Sequence, residues 1–151
     1  MPFTVRFGVE CEQRFLAAGQ WLTIGRSWKR ANAESCACTL QGAMVRIDEH
    51  NWIKTGIEYF EGRMRLSTVV TYEYSSWVVA ELPESTSELA LLLTRRRDAL
   101  EVRYRIDHGA QELAALVHLP PDAPALAGAM CAAPEGNGFQ VTFRDLSLVA
   151  L

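Results

Sequence analysis

Long apolar runs are missing from this 151-residue chain. No stretch approaches the roughly 20 residues of a membrane-spanning helix, so a membrane is not an expected partner. Cysteine is scarce: Cys11, Cys36, Cys38 and Cys131 stand at uneven intervals. That excludes a disulfide scaffold in a chain of this size. The Cys36–Cys38 pair, with His50 or Cys131 as further ligands, raises a metal reading. It is not a Cys-x-x-Cys knuckle, however, and no second such pair follows. Ordinary thiols are expected, with no metal and no cofactor. Basic charge is also thin, and the net charge is −3. Nothing in it favours nucleic acid. The one dense basic run, Arg95–Arg96–Arg97, precedes "DAL" and reads as a solvated loop beside a turn. Arg6 and Glu10 interrupt the only candidate hydrophobic region of a leader, so a cytoplasmic location is expected.

What the chain does have is the balance of a globular protein, 49% hydrophobic and 22% charged. Its length suits one domain over 1–151. The dominant period is two. In "FTVRFGVE", Phe3, Val5, Phe7 and Val9 alternate with Thr4, Arg6 and the residues after them. In "LEVRYRID", Leu100, Val102, Tyr104 and Ile106 alternate with charged residues. Such alternation predicts strands with one buried face. "AMVRI", "WIKTGIEYF", "MRLSTVVT", "WVVAEL", "LALLLT", "ALAGAMCA" and "FQVTFRDLSLVAL" add further strands, mostly bounded by turn residues. "SELALLL" has a helix-capping Ser87, but its apolar run is short, and a buried strand is preferred.

Glu61-Gly62 fits a tight hairpin turn, "RRRDALEV" a second hairpin, "PEGNGF" a Gly-rich turn and "LPPDAP" a loop. The segment Arg14 to Leu40 has no clean period, and "RFLAAGQWLTIG" fits helix or strand. Many short strands at turn-punctuated spacing predict an all-β sandwich or barrel.

From Gln41 the motifs become specific. "QGAMVR", "NWIKTGIEY", "LSTVVT" and "YSSW" occur in order, followed by "RRRDALEVRYRID", "HLPPDA" and "GAMCAAPEGNGFQVTFRDLSL". This series resembles the domain of unknown function 1349 family, the regulation-of-enolase-like group of the concanavalin A-like lectin/glucanase superfamily. The resemblance covers 41–148 and leaves 1–40 as an atypical N-terminal segment. It implies a concanavalin A-like antiparallel β-sandwich, or jelly roll, with N-terminal strands missing or rebuilt. The family's Trp-rich opening and Asp-Phe-Trp-Arg-like motif are not found here. On that alignment "QWLTIGRSWKRANAESCACT" is inserted or substituted sequence. A missing strand would leave an open edge, so a homo-oligomer through the N-terminal edge is an expectation.

Retaining glucanases of this superfamily need two carboxyls about 5 Å apart. Glu10 and Glu12 are the one i, i+2 acidic pair, in the poorly matched segment, and Glu58 and Glu61 straddle a turn. His50, His108 and His118 are scattered at strand ends or turns, where exposure is the simplest explanation. Neither a Gly-x-Ser-x-Gly elbow nor a phosphate loop occurs. A non-enzymatic binding domain is therefore preferred, for a carbohydrate, a small polar ligand or a protein partner. The alternative is an enzyme acting on a sugar or small metabolite.

The candidate site is one strand face. Trp52, Lys54, Gly56 and Glu58 share a side, while Ile53, Thr55, Ile57 and Tyr59 form the apolar, core-facing side. Val45 and Ile47 point inward before them, with Met44, Arg46 and Asp48 outward. The facing of Ser67, Val69 and Thr71 against Leu66, Thr68 and Val70 is open from sequence. Arg46, Lys54, Glu58 and Thr71 are thus expected on one surface, with Trp52 or Trp77 at its rim. The competing reading is a solvated salt-bridge ladder between Lys54 or Arg46 and Glu58, with both tryptophans used in packing.

Overall fold

The structure, a computed structural model, describes residues 3–6, 15–16, 21–25, 39–120, 123–132 and 140–145. Among them lie twelve β-strands and no helix. They are β1 (Phe3–Arg6), β2 (Phe15–Leu16), β3 (Trp21–Gly25), β4 (Thr39–Arg46), β5 (Asn51–Phe60) and β6 (Arg63–Tyr72). β7 (Tyr74–Glu81), β8 (Glu88–Arg96), β9 (Ala99–Ile106), β10 (Glu112–His118), β11 (Leu126–Ala132) and β12 (Gln140–Arg144) follow. A first sheet has the order β1-β12-β3-β8-β9-β10, and a second the order β2-β11-β4-β5-β6-β7. All the pairings are antiparallel. The result is the expected antiparallel sandwich.

Period-two alternation builds the core. Ile53, Ile57 and Leu66 of the second sheet meet Leu89, Leu91, Leu93, Leu100 and Val102 of the first. Full burial of each such side chain contributes roughly 1.5–3 kcal/mol. Tyr104 and Ile106 pack against this cluster, as the alternation of β9 requires. Tyr59 keeps the same phase but is partly exposed near the end of β5. Between the sheets β4 lies against β3, β5 against β8, and β6 against β10.

The turns explain the strand limits. Glu61 and Gly62 have φ of 51° and 76°, the left-handed pair that joins β5 to β6 in a tight hairpin. Arg97, at φ 47°, turns β8 into β9. The basic run is not a loop, which corrects the sequence reading. Arg95 and Arg96 continue the ladder of β8 to the pair Arg96↔Ala99. Arg95 Nη2 also donates to the Pro120 carbonyl at 2.6 Å. His50, His108 and His118 are exposed, at a bend, a turn and a strand end.

The described part of the N-terminal segment contributes strands to both sheets. β3 (Trp21–Gly25) lies inside the first sheet, between β12 and β8. β1 and β2 close one edge of each sheet. Cys11, Cys36, Cys38, the Glu10 and Glu12 pair and the "PEGNGF" turn lie outside the described residues.

Candidate functional site

The outer face of the second sheet carries all six residues singled out from the sequence. The turn at Glu61-Gly62 sets β5 and β6 in register, and β4 and β7 extend the rows. One row runs Arg46, Trp52, Thr71, Ser75; the next Met44, Lys54, Val69, Trp77. The third is Gly42, Gly56, Ser67, Val79, and the fourth Leu40, Glu58, Arg65, Glu81. Ser67, Val69 and Thr71 therefore face outward with Lys54, while Leu66, Thr68 and Val70 face the core.

The third row is unusual in having no side chain at its first two positions, on β4 and β5. A Cβ built on Gly42 would stand 2.6 Å from Gly56 Cα and collide with the Thr55 carbonyl oxygen. A Cβ on Gly56 would stand 2.6 Å from Gly42 Cα and collide with the Gln41 carbonyl oxygen. Only a pair of glycines lets β4 and β5 pinch together here. The missing side chains leave this row open on the outer face.

Trp77 lies beside this pinch. Its indole Nε1 donates to Ser67 Oγ at 2.9 Å and to Glu58 Oε2 at 3.1 Å. Phe60 meets its ring edge-on, with centroids 5.1 Å apart. Ser67 is fully buried beneath, yet Trp77 itself is 47% exposed. Its orientation is thus fixed while much of its ring remains available. Trp52 is a second aromatic on the face, with Lys54 Nζ 5.6 Å from its ring centroid. That is a cation–π arrangement.

The remaining predicted residues are held by short-range contacts. Arg46 Nε donates to the Asp48 carbonyl at 3.1 Å. Thr71 lies on the face but is only 9% exposed, its hydroxyl 2.8 Å from Ser75 Oγ. It orders the β6–β7 hairpin more than it offers a contact. At one end of the face, Asp48 accepts hydrogen bonds from the Asn51 amide and the His50 N–H. The Asn51 contact above all holds its carboxyl below the ordinary range.

Ion pairs do occur on this face, but with other partners than the sequence suggested. Arg65 pairs with Glu61 at 2.9 Å and Arg63 with Glu81 at 2.7 Å. Lys54 lies over Trp52, and Glu58 accepts from Trp77. Arg65 also rests 5.5 Å over the Phe60 ring. Ser67, Phe60 and Arg65 were not singled out from the sequence. Counting outward from the Glu61-Gly62 turn would have found Ser67 and Arg65, since it sets them opposite Gly56 and Glu58. Among the described residues no group of three His, Cys, Asp or Glu side chains could hold a metal ion. No described helix is long and apolar enough to cross a membrane.

Chemically, the face offers a fixed flat ring with a carboxylate hydrogen-bonded to it, and a second ring capped by an ammonium. Glu58 and Glu81 are two strands apart in their row, about 10 Å at Cα, with Arg65 between them. Such an arrangement suits binding.

Comparison with known proteins agrees with this architecture. The family model for a protein of unknown function, DUF1349, matches residues 40–150. Regulation of enolase protein 1 of Saccharomyces cerevisiae is 35% identical over 109 residues. That match covers 72% of this chain and 55% of the yeast protein, so the chain spans about half the length of that relative. A crystal structure of a functionally unknown protein from Saccharomyces cerevisiae superposes with a TM-score of 0.76 at 28% identity. It covers 91% of this chain and 72% of that one. A Bacteroides ovatus protein described as xyloglucan PUL GH43B matches with a TM-score of 0.61 at 16% identity, covering 86% and 28%. The GH43 protein BlXynB of Bacillus licheniformis gives 0.61 at 8%, covering 83% and 26%. At those identities the last two report on fold alone. The chain belongs to the DUF1349 family of proteins of unknown function, built as a concanavalin A-like β-sandwich.

Proposed function

We propose that this domain is a non-enzymatic binding module, and that a carbohydrate binds on the outer face of the second sheet around Trp77. The supporting observation is the state of Trp77 itself. A large aromatic that is 47% exposed normally gains rotameric freedom in water. Here two hydrogen bonds and the Phe60 contact hold it in one orientation. A ring fixed before binding removes part of the ordering cost that a ligand would otherwise meet. Sugars present a C–H face that stacks on such a ring and hydroxyls that need charged or polar partners beside it. Glu58 provides an acceptor, Lys54 and Arg46 provide donors, and Trp52 provides a second ring two strands away. Xyloglucan fragments, after the glycan named for one protein of similar fold, are a starting choice of ligand to test.

Thermal unfolding with a panel of oligosaccharides tests the reading. A bound ligand at about 100 times its Kd stabilises the fold by about 2.7 kcal/mol. At least one glycan should raise the Tm, and Trp77→Ala and Glu58→Ala should each abolish that rise. A rise that survives both substitutions would place the ligand elsewhere. No rise with any glycan would remove carbohydrate as the ligand class.

A further inference from the structure

The outer face of the second sheet is divided by charge. One end carries Glu58, Arg65 and Glu81 in a single row. The other carries Trp52, with Arg46 opposite it on β4 and the Lys54 ammonium 5.6 Å from its ring centroid. At the first end the arginines have carboxylates: Arg65 pairs with Glu61 and Arg63 with Glu81. Among the described residues, neither Arg46 nor Lys54 forms an ion pair. Arg46, Trp52 and Lys54 are all partly exposed, so a ligand can reach them.

Strand geometry keeps these two cations from the acids of their own face. Glu58 is four residues along β5 from Lys54, about 13 Å at the rise of a strand. Between them the row of Gly42 and Gly56 has no side chain to bridge the gap. The two carboxylates nearest Arg46 in sequence are engaged elsewhere. Asp48 accepts from the Asn51 amide at 2.9 Å and from the His50 N–H at 2.8 Å, and Glu49 lies 3.4 Å from the His50 ring. Arg46 gives its Nε to the Asp48 carbonyl, which orients the guanidinium and leaves its two terminal nitrogens as donors. For Lys54 the Trp52 ring is a weaker partner than a carboxylate. Arg46 and Lys54 are diagonal neighbours across β4 and β5, about 7–8 Å apart, so one carboxylate can meet both long side chains.

We infer that the glycan bound at this face is acidic, with the carboxylate of a uronic acid unit seated between Arg46 and Lys54 beside Trp52. The inference rests on the carbohydrate reading above and adds the charge of the ligand. Hydrogen bonds from guanidinium and ammonium to a carboxylate are roughly twice as strong as those between neutral groups. A neutral glycan stacked on Trp77 leaves both cations unanswered. A bare anion or an acidic peptide answers them and makes no use of the fixed Trp77 ring. An acidic glycan uses both ends of the face. Trp77 is two strands from Trp52, about 10 Å, which an oligosaccharide spans and a monosaccharide does not.

Titration calorimetry on the full chain tests it. The probes are oligomers of glucuronate, galacturonate and mannuronate, each beside its methyl ester, which keeps the sugar and removes the charge. At least one acid should bind about tenfold tighter than its ester. The chain carries a net charge of −3, so a general attraction of polyanions does not explain such a preference. The preference should shrink as sodium chloride rises from about 0.05 to about 0.5 M. Arg46→Gln combined with Lys54→Gln should bring the acid down to the affinity of its ester. The ester comparison and the salt series use the wild type, so they decide even if that double variant misfolds. Equal binding of acid and ester would overturn the inference and leave the carbohydrate reading standing. A preference that survives the double substitution would also overturn it, since the carboxylate would then sit elsewhere. Hexaglutamate binding as tightly as the best oligouronate would remove the sugar from the assignment. If no acid binds while a neutral glycan raises the Tm, this inference alone fails, and if no glycan of either kind binds, both fail.

Discussion

Thr55 and Thr68 bury a pair of hydroxyls between the sheets, 2.9 Å apart across β5 and β6. Each satisfies the other, so losing one leaves the other stranded. A stranded buried hydroxyl costs about 1–3 kcal/mol, whereas replacing both partners with apolar groups is nearly neutral. Thr55→Val alone should lower stability to urea by about 2 kcal/mol, and Thr55→Val with Thr68→Val should recover most of it. A double variant as unstable as the sum of the singles would show that the pair contributes nothing as a pair. Gly56 makes a sharper demand. Its missing Cβ would meet backbone of β4, which cannot swing aside as a side chain can. Gly56→Ala should cost about 3 kcal/mol, the upper end for overpacking, in the same urea measurement. A near-wild-type midpoint would mean that the strands can part at the pinch without cost.

Between elements, one carboxylate ties two connections together. Asp107, in the left-handed region at φ 49°, follows β9, and its Oδ1 accepts from Ser87 Oγ at 2.6 Å. It also accepts from the N–H groups of Ser87 and Glu88 at 3.0 and 2.8 Å, where β8 begins. The Ser87 hydroxyl bond first, then these backbone bonds, hold its carboxyl below the ordinary range. A depressed folded pKa stabilises fully above the unfolded value, about 3.9 for aspartate, and the benefit disappears as pH falls through the folded pKa. The stability advantage of wild type over Asp107→Asn should therefore be constant near neutrality and shrink below about pH 4. Urea midpoints measured across that range check it, and an advantage independent of pH would contradict it. This clasp was invisible in the sequence, because it joins residues about twenty positions apart through loop geometry. β5 and β6 were legible for the opposite reason. Their alternation is uninterrupted, and Glu61-Gly62 fixes the turn, so every pair follows by counting. β3 was not legible because "RFLAAGQWLTIG" satisfies neither period cleanly, and only its neighbours β12 and β8 settle it as a strand.

At the scale of the molecule, the two sheets are offset, and the offset decides what is exposed. Period-two phase placed Arg46, Trp52, Lys54 and Glu58 on one face correctly, since adjacent strands share phase. Phase alone could not say that Trp77 is half exposed. That depends on β7 being the last strand of its sheet, with Trp77 on its outer face. Nor could it show that the Trp77 indole donates to Glu58. Indole resonances test directly the proposal that the face around Trp77 binds a ligand. The chain has four tryptophans, Trp21, Trp28, Trp52 and Trp77, and each indole N–H gives its own signal in a nitrogen-15 correlation spectrum. During titration with an oligosaccharide, saturable shifts are predicted for Trp77 and Trp52, and they should vanish in Glu58→Ala. No saturable change at Trp77 with any glycan tested would contradict that reading.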